Sequence, residues 1–132
     1  MKTTLIWACI FGITAIAIGA LGAHGLKQIL GESELDSLAT GVRYQMYHSL
    51  FLLFIGVMQH IKPDLKLNSI RNLTVIGVFF FSFSIYLLLS QTPLGLTFPF
   101  IWVLTPIGGI LLMAAWMVLL IKIVLLSKVV EM

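Results

Sequence analysis

Fifty consecutive residues, 72–121, contain no Asp, Glu, Lys, Arg or His. A soluble domain averages roughly 25% charged residues, so a run of this length has no place in water. Residues 3–23 form a second such run. Residues 44–59 form a third, in which His48 is the one basic side chain. With 60% of its residues hydrophobic and 10% charged, the chain needs lipid as its solvent. The number of membrane crossings then decides the fold.

A crossing helix needs about twenty apolar residues to span a hydrocarbon core of ~30 Å. Residues 4–23 and 44–61 each fit once. The fifty-residue run fits twice if it is interrupted, and Gln91-Thr92-Pro93-Leu94-Gly95 supplies the interruption, since proline cannot continue a helix and glycine suits the turn. The last two spans then fall near 72–90 and 98–121. Open strands are excluded, because unpaired backbone groups in lipid cost several kcal/mol each. The prediction is an all-α integral membrane four-helix bundle forming a single transmembrane domain over 1–132. About forty residues are left for loops and tails, too few for a separate soluble catalytic domain. The first run resembles a secretory signal in having Lys2 before it and Ala20-Leu21-Gly22-Ala23 at its end. It is longer than the usual 7–15-residue signal core, so it is read as a retained span.

Ser33-Glu34-Leu35-Asp36 has the character of a capped helix start with acids in its first turn. Leu35, Leu38, Ala39 and Val42 follow at helical spacing. A short amphipathic segment is therefore expected before the second span, lying along the interface or packed on the bundle.

Lys2, Lys62, Lys66, Arg71, Lys122 and Lys128 fall on one side of the four-span arrangement, and Lys27 and Arg43 on the other. This asymmetry predicts cytoplasmic termini. Trp7 and Trp116 then lie toward the inner interface, and Trp102, Tyr44 and Tyr47 toward the outer one, as aromatic belts do. Basic residues at span ends are topology and headgroup determinants, so the +3 net charge does not point to nucleic acid. Membrane lipids are the expected surroundings. The one cysteine, Cys9, allows no intrachain disulfide.

Ala8, Gly12, Ala15, Gly19 and Ala23 recur at steps of three and four along the first span. A stripe of small residues lets another helix approach closely, which drives association in lipid. Gly108-Gly109 and Ala114-Ala115 offer a second such surface on the fourth span. Pro106 removes a donor to the Trp102 carbonyl and should bend that helix.

Four stretches together carry a family resemblance: Gly19-Ala-Leu-Gly-Ala-His-Gly-Leu26, Arg43-Tyr-Gln-Met-Tyr-His48, Ser82-Phe-Ser-Ile-Tyr86 and Thr105-Pro-Ile-Gly-Gly109. In this order they resemble the YgdD/YwdK-like family of small four-span membrane proteins, a domain-of-unknown-function family with bacterial and mitochondrial members. The likeness covers nearly the whole chain. It departs at Ser49, where the family pattern has Ala, and at Phe83, where it has Gly, and the bulkier Phe83 is expected to alter the packing of the third span. The resemblance implies a fold and a membrane location and no activity.

In the expected topology the four stretches share the outer half of the bilayer. His24, Arg43, Tyr44, Gln45, Tyr47, His48, Ser82, Tyr86 and Thr105 become a candidate polar cluster, because polar groups at membrane depth are costly and often functional. The alternative reading assigns Gln45, Ser82 and Thr105 to interhelical hydrogen bonds and His24 and Arg43 to headgroup contacts. His48, more than a turn inside, fits that alternative least well. No cofactor is expected: His24 and His48 form the one histidine pair that could ligate haem, and nothing else marks a cleft. No metal site is expected from two histidines without carboxylates beside them. No nucleophile–base arrangement or phosphate loop is present, so catalysis is not expected. Contact with other membrane components, by self-association or within a larger complex, is the leading expectation. Binding or transport of a small or lipidic molecule through the outward cluster is the alternative.

Overall fold

A computed structural model describes residues 1–95 and 97–130, with the backbone alone at Thr92 and at 127–130. The side chains of Thr92 and Lys128 thus lie outside the described residues. Among the described residues all regular structure is helical: α1 Lys2–His24, α2 Glu32–Ile61, α3 Asn68–Val78, α4 Ser84–Leu94 and α5 Ile101–Val130. A π-turn, Phe79–Phe83, carries α3 into α4 without a break. The chain is an all-α membrane bundle.

Three stretches are long and apolar enough to cross a membrane: Lys2–His24, Asn68–Gln91 and Ile101–Leu126. The expected fourth, in α2, is long enough but not apolar enough, because Gln45, His48, Gln59 and His60 interrupt it. Between the last two helices, Gly95 adopts a left-handed φ of 62°, the conformation glycine tolerates without cost. Pro93 still fits in the last turn of α4, so the break comes at the glycine.

The start of α2 differs from expectation. Gly31, not Ser33, is the N-cap, and its N–H donates to Glu34 Oε2 at 2.8 Å. Glycine has no side chain to return the bond, so half of a capping box is made. The expected amphipathic segment packs on the bundle, one of its two expected placements, and runs on into the rest of α2. It is the opening of one 30-residue helix, and Leu38 packs into the bundle with Ile85 and Leu89.

α1 lies antiparallel along α2, and α5 lies along α3, the π-turn and α4. The two halves meet where α2 touches α3, the π-turn and α4. Successive contacts climb α1 while descending α2: Leu5 against Gly56, Gly12 against Ser49, Gly19 against Val42, Gly22 against Leu38. Ala8 and Ala15 are fully buried. Ala23 is exposed, and the outer end of the stripe is the buried Gly22 instead. The physical reason is periodicity. Steps of 4, 3, 4, 3 follow the helix face, whereas a last step of four drifts off it.

Gly108 is buried against the main chain of the π-turn, where a Cβ would strike Phe81 N and sit 2.7 Å from Phe80 C. Gly109 lies beside the Phe81 ring. Phe83 closes the π-turn and packs on Phe79, Tyr86 and Phe11, with ring centroids 4.9, 5.6 and 6.5 Å away. With Trp7 and Phe11 it ties α1 to the π-turn. Outward faces are apolar, with Ile13 69% and Met113 66% exposed.

Candidate functional site

The largest fully buried polar side chain among the described residues is Gln45, near the middle of α2. Its amide nitrogen has two hydrogens and uses both: one bonds the Phe11 carbonyl at 2.9 Å, the other Thr14 Oγ1 at 2.6 Å. Its Oε1 accepts from the Tyr86 hydroxyl at 2.9 Å. Thr14 in turn donates to the Ile10 carbonyl at 2.7 Å. One side chain therefore joins α1, α2 and α4, and every bonding group in the set has a partner. A buried amide satisfied in this way specifies how helices meet; left half-bonded it would cost about 1–3 kcal/mol.

Further polar contacts repeat the pattern toward the other end. Ser49 Oγ donates to the Ala8 carbonyl at 2.7 Å, and Thr4 Oγ1 donates to Gln59 Oε1 at 2.7 Å. Gln59 Nε2 continues to Asn68 Oδ1 at 3.1 Å. Between α4 and α5, Ser84 Oγ lies 2.7 Å from Thr105 Oγ1. Ser84 spends its own hydrogen on the Phe81 carbonyl at 3.0 Å, so Thr105 is the donor between the two hydroxyls. Lys122 Nζ donates to the Leu65 carbonyl at 2.9 Å, tying α5 to the α2–α3 connection.

The nine residues of the candidate cluster thus divide. Gln45 and Tyr86 bond directly. Thr105 joins Ser84 instead. His24 ends α1 exposed, and Arg43 and Tyr47 are exposed on α2. Tyr44 stacks beside His48 and against Phe81, at 6.3 and 4.7 Å between centroids. His48 is 5% exposed, and its Nδ1 lies 2.8 Å from the Tyr44 carbonyl. A carbonyl only accepts, so Nδ1 carries the hydrogen. His48 Nε2 and Ser82 Oγ are buried without a hydrogen-bond partner. Of the nine, Gln45, Tyr86 and Thr105 make bonds between helices, and His24, Arg43, Tyr44 and Tyr47 form an exposed rim.

Six members of the bonded set were not legible as site residues: Thr14, Thr4, Ser49, Gln59, Asn68 and Lys122. The signal for the first was its place on α1 between Gly12 and Ala15, since polar groups flanking a close-packing stripe meet the facing helix. Among the described residues no group of three His, Cys, Asp or Glu could hold a metal ion. Cys9 is exposed on α1.

Residues 18–109, which contain Gln45, Tyr86, Ser84 and Thr105, match the family model described as a protein of unknown function, DUF423. The chain belongs to the DUF423 family. Relatives align over almost the full length. A UPF0382 membrane protein of Staphylococcus haemolyticus is 36% identical over 123 residues, covering 92% of this chain and 95% of its own. The UPF0382 inner membrane protein YgdD of Escherichia coli K12 is 30% identical over 125 residues, covering 94% and 91%. No solved structure matches the chain. The family's members are membrane proteins of unknown function, as the resemblance of the motifs implied.

Proposed function

We propose that the chain crosses the inner membrane four times with both termini in the cytoplasm. It works there by lateral contact with other membrane components, as an accessory subunit or with copies of itself. One observation carries this reading. Gln45, His48 and Ser49 of α2 are buried in the bundle, while its outer side presents Leu50, Leu53, Phe54, Val57 and Ile61. Such a helix can cross lipid even though its overall hydropathy is modest, since Gln45 and Ser49 spend their polar hydrogens on α1. At 30 residues α2 is about 45 Å long, enough to cross a ~30 Å core and carry Glu32, Glu34 and Asp36 beyond it. The name of the Escherichia coli relative supports the inner membrane. The apolar outer faces of α1 and α5, including Trp102 and Trp116, suit contact with lipid and neighbouring helices.

A cytoplasm-active reporter fused to the C-terminus should be active, and a reporter between α1 and α2 inactive. The reverse result overturns the topology. Native sizing in a mild detergent should give a particle larger than one chain. A monomer that co-purifies with no partner counts against the contact role.

A further inference from the structure

We propose that an open groove between α1 and the first half of α2 holds one anionic glycerophospholipid, with its phosphate between Lys27 and Arg43. The groove has a volume of 610 Å³, within the ~300–1,000 Å³ of ordinary ligand sites. Ala15, Gly19 and Ala23 of α1 and Ala39 of α2 are among the residues that line it, and their small side chains leave it open. Its charged lining residues are Lys27 and Arg43 alone. Neither makes a hydrogen bond or ion pair within the described residues, and both are exposed.

The dimensions suit an acyl chain. From Ala15 to Ala23 the helix rises about 12 Å, close to one leaflet's half of a ~30 Å core. Lys27 stands past the Ala23 end of the groove and Arg43 beside Val42, which faces Gly19, so the phosphate lies between them, and an Arg fork pairs well with phosphate oxygens. A zwitterionic headgroup brings its own cation to the same place, so net negative charge is what the rim selects. A second copy is the less suitable occupant. In a two-fold groove-to-groove contact, two Lys27 and two Arg43 side chains would gather at one interface with no acid among the lining residues to offset them.

The inference rests on reading α1 and α2 as membrane-crossing, but not on which leaflet the groove faces. The full chain, purified in a mild non-ionic detergent, is titrated with phosphatidylglycerol and phosphatidylcholine and read by native mass spectrometry. A retained phosphatidylglycerol adduct, with phosphatidylcholine held more weakly, is expected. A cation near an anionic surface is worth about fivefold in affinity. Lys27→Gln and Arg43→Gln should each lower phosphatidylglycerol retention by about that factor, with the thermal melt unchanged because both side chains are exposed. Ala39→Phe, which fills the groove and leaves the cations in place, should also lower retention. Equal retention of the two lipids, or undiminished retention in the Lys27→Gln/Arg43→Gln variant, overturns the proposal. So does disulfide trapping between copies carrying Ala39→Cys in a Cys9→Ser background, which would seat a second chain in the groove. A reversed reporter result would overturn the topology while leaving these outcomes meaningful.

Discussion

Along the α1–α2 contact, side chains reach across to oxygen atoms of the facing helix: Gln45 to Phe11, Ser49 to Ala8, Thr4 to Gln59. The contact of α5 with α3, the π-turn and α4 works differently. There the Ser84–Thr105 bond accompanies a fit of backbone to backbone, with Gly108 against Phe80 and Phe81 and Gly77 beneath Leu112. In lipid neither contact gains from expelling water, so each needs another source of stability. The first half sets its glycines against side-chain tips, which can shift, and adds bonds that are individually modest, because a separated helix also finds polar partners. The second half uses shape, which tolerates less. A π-turn widens the helix at the place where α5 approaches, and only a residue without a Cβ fits there.

The difference can be broken most sharply at Gly108. Gly108→Val puts side-chain atoms into the π-turn main chain, which cannot rotate away as a side-chain tip can. A loss of about 3 kcal/mol or more is expected, measured by denaturing-detergent titration of the refolded protein. A loss below about 1 kcal/mol would mean that the π-turn yields and that shape is not what holds this half. Gln45→Leu should cost less, about 1–2 kcal/mol, because Thr14 and Tyr86 lose a partner while the helices stay in register. Combined with Tyr86→Phe, it should show a coupling of roughly 0.6 kcal/mol, and strict additivity would deny the bond between the two residues. Ser49→Ala should have the smallest effect, about 0.6 kcal/mol. It removes one bond to the Ala8 carbonyl. A cost as large as that of Gly108→Val would erase the distinction between the halves.

Much of the site was legible as a list of residues and little of it as an arrangement. Gln45, Tyr86 and Thr105 stood out because polar side chains are rare in apolar runs, and all three make interhelical or cross-helix bonds. His24, Arg43 and Tyr47 stood out for the same reason, yet they point outward. Sequence spacing places a residue on a helix face but does not say which face another helix covers. Ala23 shows the same limit. It continues the spacing of the stripe, but a four-residue step carries it round to the groove, and Gly22 makes the contact. The expected cap at Ser33 missed by two residues because Glu34 can reach back to any exposed N–H at that distance, and Gly31 offered it.

What the amino-acid order determined was the solvent and the secondary structure. Uncharged runs of this length require lipid, lipid requires internally bonded backbone, and glycine at position 95 ends the third rod. Those effects are local, and they depend only on the residues within each run. The tertiary structure decided the rest. The π-turn at Phe79–Phe83 has no composition of its own, and it exists where α5 lays Gly108 on it. The three bonds of Gln45 depend on groups 31, 34 and 41 residues away, whose approach is set by how the helices pack in three dimensions.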